Sequence, residues 1–268
     1  MSERLTFRAL HAQQRALVIP NLWDIATARI LAAMGYKALA TTSAGMAFSM
    51  GIVEGAATKQ AVFAHCKQIV KATTLPVTAD LEKGFGDTPE QVSQTIIEAV
   101  EIGLAGCSIE DHNNKANDPI YAFAAAVERI AAAAEASKSL SEDFVLTARS
   151  ENFLWGRPDI DDTIARLQAF EKAGGDVLYA PGLYDLKTIE LVCSSLTNPV
   201  NVVMGMLGAT FSVTDLECVG VKRISVGSAL SRLAYGAFVK AAKEIQQDET
   251  FTFADQAMGF AELEDFFK

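Results

Sequence analysis

The stretch Val77-Thr78-Ala79-Asp80-Leu81-Glu82-Lys83-Gly84-Phe85-Gly86-Asp87-Thr88-Pro89-Glu90 reads as one β-strand, one acidic loop and the start of one helix. Residues 77–80 are short and mainly apolar and follow Pro76, as a buried parallel strand should be. The loop carries two glycines. Asp87-Thr88-Pro89-Glu90 then supplies a capping side chain, a proline suited to the first helical turn and an acid where the helix dipole favours one. An apolar strand that ends on carboxylates and feeds a helix is a βα unit.

The same unit recurs along the whole chain. Further strands are predicted at residues 17–20, 38–42, 107–110, 145–148, 177–180, 200–203 and 223–226, which with 77–80 makes eight. Helix-period segments lie between them at 25–34, 59–73, 89–102, 121–136, 160–173, 186–195 and 213–219, with a last one at 230–247 and an opening helix at 3–14. Pro158-Asp159 and Ser212-Val213-Thr214-Asp215 mark helix starts, and Gly35, Gly103, Gly174 and Gly220 mark helix ends. Eight βα units in one chain predict an α/β fold, a (β/α)8 TIM barrel. The doubly wound open sheet is the competing arrangement, because spacing does not give strand order. No Ser/Gly/Pro-rich linker divides residues 1–268, so a single domain is expected.

Composition narrows the function. The 268 residues carry 23 Lys+Arg against 33 Asp+Glu, a formal net charge of −10, and half of them are hydrophobic. Such a chain buries a large core, so it is not an acidic disordered tail. A basic stripe for nucleic acid is absent, and there is no uncharged apolar run of about 18 residues for a membrane span. The N-terminus shows no apolar segment of a secretory signal, which predicts a cytoplasmic protein. The cysteines Cys66, Cys107, Cys193 and Cys218 are widely spaced and read as free thiols. The histidines His11, His65 and His112 lack zinc-site spacing. Residues 250–268 hold Phe251, Phe253, Met258, Phe260, Leu263, Phe266 and Phe267, more apolar surface than a free tail should show. A terminal helix packed on the barrel or on a neighbouring subunit would cover it.

In a TIM barrel the chemistry sits at the carboxyl ends of the strands. Those ends are acidic here: Asp80 and Glu82 after the third strand and Glu110 after the fourth stand at one level of the barrel mouth. Three adjacent carboxylates repel unless something neutralises them, and a hard divalent cation with oxygen ligands does so. The competing assignment makes these residues helix caps and solvated acids, which accounts for one carboxylate more easily than three. Arg149, ending the fifth strand, suits a substrate carboxylate through two parallel hydrogen bonds. Ser43-Ala44-Gly45 offers a hydroxyl and closely approachable backbone amides. Asn201 ends the seventh strand.

Taken together, Asn21-Leu22-Trp23-Asp24, Thr42-Ser43-Ala44-Gly45, Ala79 to Gly86, Ser108-Ile109-Glu110-Asp111 and Thr147-Ala148-Arg149 resemble the isocitrate lyase and phosphoenolpyruvate mutase superfamily. The resemblance covers residues 15 to 235, with five motifs in the family's order. It implies a Mg²⁺-dependent barrel, with Mn²⁺ as a substitute ion, acting on small 2-oxo or 2-hydroxy carboxylates through an enolate. It also implies a homotetramer with a terminal helix exchanged between subunits. By the same resemblance Asp80 is the principal metal ligand, and Glu82 and Glu110 hold metal-bound waters. Ser43, Ala44 and Gly45 bind the oxo-acid, Trp23 and Asp24 line the pocket, and Arg149 faces the developing anion.

Departures from the family pattern choose the subclass. Isocitrate-type lyases carry a cysteine in the loop after the fourth strand, whereas this chain reads His112-Asn113-Asn114-Lys115-Ala116-Asn117-Asp118-Pro119. Cys107 lies before Glu110, inside the strand, and reads as packing. After the sixth strand Tyr179-Ala180-Pro181-Gly182 lacks the lyases' Pro-Glu pair. Lys115 and Asn117 resemble the mutase's gating-loop pair, and Glu54 stands where the family often places an aspartate. The expected activity is therefore a Mg²⁺-dependent lyase or decarboxylase on a small oxo- or hydroxy-dicarboxylate, with Glu54 or Lys115 handling the proton. Carbon–phosphorus chemistry on phosphonopyruvate is the alternative, supported by Lys115 and Asn117. A Schiff-base aldolase lacks a lysine at the end of the sixth strand.

Overall fold

The computed structural model describes residues 6–268 except Leu207 and Ala209. Its strands are β1 (Leu17–Ile19), β2 (Asn21–Leu22), β3 (Leu39–Thr41), β4 (Val77–Asp80), β5 (Gly106–Glu110), β6 (Val145–Arg149), β7 (Val177–Tyr179), β8 (Val200–Val203) and β9 (Arg223–Ser225). All pair in parallel, in the order β1-β9-β8-β7-β6-β5-β4-β3-β2. The count of nine against eight predicted strands has a local cause: the first strand is broken at Pro20, which has no N–H to give to a ladder. Its first half pairs with β9 (Leu17 opposite Arg223) and its second half with β3 (Asn21 opposite Ala40). The Pro20 carbonyl still accepts from the Ala40 N–H at 3.1 Å. One interrupted strand thus joins both edges of the sheet, and the (β/α)8 barrel closes.

The predicted helices occur with bounds shifted by a few residues: α2 (Ile25–Ala33), α4 (Lys59–Ala72), α5 (Pro89–Glu101), α6 (Phe123–Leu140), α7 (Ile160–Ala173), α8 (Leu186–Ser194), α9 (Val213–Cys218) and α10 (Ala229–Lys243). Side-chain caps fix the starts of α5 (Thr88), α7 (Asp159) and α9 (Ser212), among others. Gly174 closes α7 in the left-handed region at φ 107°. Leu22, Leu39, Ile109, Leu146 and Leu178 from the strands share a buried core with Ile69, Ile96, Leu167 and Phe170 from the helices. No helix of the described residues is long and apolar enough to cross a membrane.

The opening helix is shorter than expected. Residues 3–5 of the predicted segment lie outside the described residues, and α1 spans Phe7–His11, capped by Thr6. It closes the amino-terminal end of the barrel, where Phe7 and Leu10 pack on Leu17, Ile19, Ala38, Val145 and Val177. Arg8 pins it by donating to Asp176 and to the Phe144 carbonyl. His11 is buried. Its Nδ1 lies 2.8 Å from the Phe7 carbonyl, and Nε2 has no hydrogen-bond partner. Burial and the charge of Arg223 push His11 from the usual 6.5 down to about 3.

The unfolded chain therefore takes a proton on His11 below pH 6.5 that the folded state refuses, and stability falls as pH drops from about 6.5 towards 3. The contribution is full above pH 6.5. We expect His11→Gln to flatten the acid limb of urea-unfolding free energy by up to about 1.4 kcal/mol per pH unit relative to the unsubstituted protein. Parallel limbs would show that His11 is protonated in the fold.

A further helix, α3 (Ser43–Ser49), departs from the sequence expectation, which read this segment as a strand end and loop. Thr42 caps it through the Gly45 N–H at 3.2 Å. Gly45 is required there, because a Cβ would lie 2.5 Å from Thr42 Cγ2 and 3.1 Å from Trp23 Cβ. Beyond α10 a π-helical turn (Glu244–Asp248), a 3-10 turn (Thr252–Gln256) and α11 (Phe260–Asp265) replace a single terminal helix. Leu233, Phe238, Phe251 and Phe260 remain exposed, Phe260 at 82%.

Candidate active site

At the carboxyl ends of the strands a cavity of about 750 Å³ is lined by Ser43, Glu54, Asp80, Glu82, Glu110, His112, Lys115, Arg149, Glu151 and Trp155, among others. Asp80 ends β4 on its floor. Its Oδ2 accepts from Ser43 Oγ at 2.8 Å, and its Oδ1 accepts from Ser108 Oγ at 3.2 Å and Arg149 Nη1 at 3.1 Å. Burial alone would raise this carboxyl, but Arg149 and the two hydroxyls outweigh it and hold Asp80 below the usual range. Asp80 is thereby held ionised.

Arg149 is shared among three carboxyl groups: Asp80, Glu110 at 3.3 Å and Glu151 at 2.8 Å. Its guanidinium lies 4.9 Å from the Tyr179 ring centroid. Burial works against the cation, and the charges of Glu151, Glu110 and Asp80 more than restore it.

Glu82, Glu54 and Glu151 are pushed the other way. Burial, then the charges of Asp80, Glu110 and Glu54, push Glu82 up to about 7. Burial and Asp80 also raise Glu54, against a hydrogen bond from Ser43 Oγ at 3.3 Å. Burial raises Glu151 as well, despite Arg149.

The loop that carries Glu82 is held tightly. Glu82 and Phe85 sit at φ 51° and 57°, in the left-handed region that non-glycine residues rarely occupy. Arg129 from α6 overrides that strain by donating to the carbonyls of Lys83 and Gly86, and Thr95 donates to the Gly84 carbonyl. The opposite wall is fixed by Asp111, which accepts from the Glu151 N–H at 2.8 Å and from Arg166 at 3.2 Å. Burial raises Asp111 to about 6. Trp155 stacks on His112 with ring centroids 3.8 Å apart and planes 11° from parallel.

The structure brings Ser43, Glu54, Asp80, Glu82, Glu110, Lys115 and Arg149 to one cavity. It places the other expected site residues elsewhere. Asp24 caps α2 through the Thr27 N–H at 2.7 Å, and with Trp23 it lines a separate depression beside His65. Ala44 and Gly45 are buried in α3, where the Gly45 amide is committed to the Thr42 cap. Asn117 is exposed on the loop rim and does not line the cavity. Asn201 is buried inside the barrel, below the cavity, against Arg223 and Ser225. Glu151, His112 and Trp155 line the cavity although sequence reasoning did not select them. The strand end Arg149-Ser150-Glu151-Asn152 was the available signal for the first.

Among the described residues no three His, Cys, Asp or Glu side chains converge as a ready-made metal cage. The donor chemistry still fits a hard divalent cation, which characteristically takes one or two carboxylates and completes its shell with water and substrate oxygens. Burial first, and then like charges that face one another, raise Glu82 and Glu54, and the second of these is the repulsion such an ion removes.

No cysteine lines the cavity. Cys107 is fully buried within β5, and burial pushes its thiol far above the usual range. We expect Cys107→Ser to leave kcat/KM within about threefold while costing about 1–3 kcal/mol of stability for a hydroxyl in an apolar site. Loss of turnover in a folded Cys107→Ser protein would contradict its packing role.

The chain is similar along most of its length to several known proteins. A protein of Burkholderia cenocepacia, whose crystal structure is described as a lyase/mutase without a fixed activity, is 52% identical, with a TM-score of 0.96 over 98% of this chain and 94% of that one. The oxaloacetate decarboxylase of Pseudomonas fluorescens is 28% identical, covering 94% of this chain and 86% of its own. The 2-methylisocitrate lyase of Escherichia coli is 27% identical over 89% and 81% respectively. The family model for phosphoenolpyruvate phosphomutase matches residues 7–246, which takes in every βα unit and every acid of the cavity. The chain accordingly belongs to the phosphoenolpyruvate phosphomutase family, within the isocitrate lyase and phosphoenolpyruvate mutase superfamily.

Proposed function

We propose that this protein is a Mg²⁺-dependent lyase or decarboxylase that acts on a small 2-oxo or 2-hydroxy dicarboxylate through a pyruvate-type enolate. The observation that supports it best is the meeting, in one cavity, of Arg149 with an excess of carboxyl groups around the ionised Asp80. The ion, Mg²⁺ or Mn²⁺ in its place, would be held by Asp80, with Glu82 and Glu110 on its waters, and supplies Lewis-acid polarisation of the substrate's oxo group. Arg149 presents N–H donors already in position where negative charge builds on the enolate oxygen. Ser43 Oγ, at the cavity wall, would donate to a substrate carboxylate by turning its single proton away from Asp80. With a 2-oxo dicarboxylate the bond to the distal carboxylate breaks, carbon dioxide leaves and the bond's electron pair moves into the enolate; a 2-hydroxy acid first gives its hydroxyl proton to a cavity carboxylate and cleaves to pyruvate and the enolate of the other fragment. Glu54, raised above the usual carboxyl range, then delivers a proton to carbon.

Relatives named for oxaloacetate decarboxylation and 2-methylisocitrate cleavage favour carbon–carbon chemistry. The lack of a cavity cysteine favours small oxo-acids over isocitrate-type tricarboxylates. The second reading, carbon–phosphorus chemistry on phosphonopyruvate, draws on the family model and on Lys115 at the cavity wall.

Pyruvate release with Mg²⁺ and then with EDTA, from oxaloacetate, substituted malates, methylisocitrate and phosphonopyruvate, tests both readings. Metal-dependent pyruvate without phosphate is expected. Equimolar phosphate from phosphonopyruvate would establish the second reading, and metal-independent turnover would overturn the first.

We further propose a soluble, cytoplasmic homo-oligomer, a tetramer by family resemblance. The apolar surface of Leu233, Phe238, Phe251 and Phe260 supports it. Light scattering should return a multiple of the 28.7 kDa chain, and Leu233→Glu with Phe238→Glu should lower it. A monomeric unsubstituted protein would remove this proposal.

A further inference from the structure

Two parts of the cavity differ in chemistry. One carries the carboxyl groups around Arg149, whereas the turn after β6 presents Leu154 and Trp155 to the same space. Leu154 is 40% exposed and Trp155 46%. Scattered apolar residues on a surface need no explanation, but two large ones side by side on the wall of an acidic cavity mark a place for apolar ligand atoms.

Neither residue is loosely held. The Leu154 N–H donates to the Glu151 carbonyl at 3.0 Å, and the Trp155 N–H lies 3.3 Å from the carbonyls of Glu151 and Asn152. Leu154 packs beside Gly182, where an added Cβ would lie 3.4 Å from Leu154 Cδ2. His112, itself buried, covers one face of the Trp155 indole at a centroid separation of 3.8 Å. Nearly half of Trp155 stays open all the same, so apolar ring surface of fixed orientation is left at the cavity wall. An aromatic side chain fixed in advance loses little rotamer freedom when a ligand meets it.

The acidic part of the cavity does not need this wall. A four-carbon oxo-diacid engages the ion, Arg149 and Ser43 through its carboxylates and oxo group, and it fills only a small part of about 750 Å³. Whatever branches from it towards Leu154 and Trp155 meets apolar surface.

We propose that Trp155, together with Leu154, determines specificity by accepting an apolar substituent of several carbons on carbon 3 of the oxo- or hydroxy-dicarboxylate. This inference rests on the lyase or decarboxylase reading of the cavity and adds the class of substrate: a diacid with an alkyl or aryl branch beside the oxo or hydroxy carbon.

Turnover of oxaloacetate against its 3-propyl derivative, read as loss of the oxo-diacid, is the first test. The propyl compound should have kcat/KM about tenfold or more higher, chiefly through KM. Trp155→Ala should bring the ratio of the two values to within about twofold, and Trp155→Phe, which keeps an apolar ring, should preserve the preference.

Binding gives a readout independent of turnover. The chain has two tryptophans and Trp23 lines a separate depression, so a fluorescence change caused by a cavity ligand belongs to Trp155 and should vanish in Trp155→Phe. With Mg²⁺ present, propylmalonate should change this emission and should bind about tenfold more tightly than malonate in calorimetry. Tighter binding of propylmalonate without turnover of any oxo-diacid would keep the apolar subsite and discard the reaction. Turnover of both oxo-diacids with equal kcat/KM would overturn the inference and leave the reaction standing. Equal affinity for the two malonates would also overturn it, as would a Trp155 emission unmoved by propylmalonate, which would give this face to a neighbouring chain.

Discussion

Asp80→Asn is expected to lower kcat/KM by about a thousandfold or more while the protein stays folded. The substitution keeps size and one acceptor oxygen, so the Ser43 and Ser108 hydroxyls at 2.8 and 3.2 Å retain a partner. Arg149 keeps Glu110 and Glu151 as counter-charges, so no isolated buried cation is left behind. What disappears is the carboxylate that Arg149 and two hydroxyls hold below the usual range, and with it a donor for a divalent cation. Turnover and Mg²⁺ titration by calorimetry should fail together, with Tm changed by only a few degrees. An Asp80→Asn protein with turnover within tenfold of the unsubstituted chain would remove Asp80 from the centre of the mechanism.

The second large effect is expected from Arg149→Lys. Lysine keeps the charge but offers a compact ammonium in place of a planar fork, and the fork here reaches Asp80, Glu110 and Glu151 at once. Loss of a donor aimed at a developing oxyanion costs about a hundred- to a thousandfold in kcat. Imperfectly paired carboxyl groups, of which Glu151 is nearly inaccessible, add a stability loss of about 3 kcal/mol. Urea unfolding separates the two effects. If Arg149→Lys retained kcat within fivefold, the guanidinium would be a scaffold for the acids and not a catalytic residue.

The strand pattern was legible because the barrel strands are buried on both faces and most read as short, mainly apolar runs, such as Val145–Arg149 and Val177–Tyr179. The break at Pro20 was less legible, since the proline marks a strand end equally well when no second half follows. Helix α3 escaped because Thr41-Thr42-Ser43 favours extended backbone and Gly45 weakens a seven-residue helix. Only the close approach of Gly45 to Trp23 and Thr42 gives that glycine its purpose. Trp23 and Asp24 were assigned to the pocket by likeness to a motif, whereas the cap geometry turns Asp24 onto α2 and away from the acids. Trp155 and His112 illustrate the opposite case. They lie 43 positions apart in sequence, and no spacing announces that the two rings stack.

The sequence by itself determined the barrel and the acidity of its mouth. Parallel strands all point one way, so any polar residue that ends a strand is delivered to the same face. Tertiary structure alone decided which of those acids meet Arg149 and which are left to repel one another. It also set Arg223 against Thr147, 76 positions away. Such contacts depend on how the strands tilt and stagger when the sheet closes, and that register is a property of the whole barrel which no local run of residues encodes.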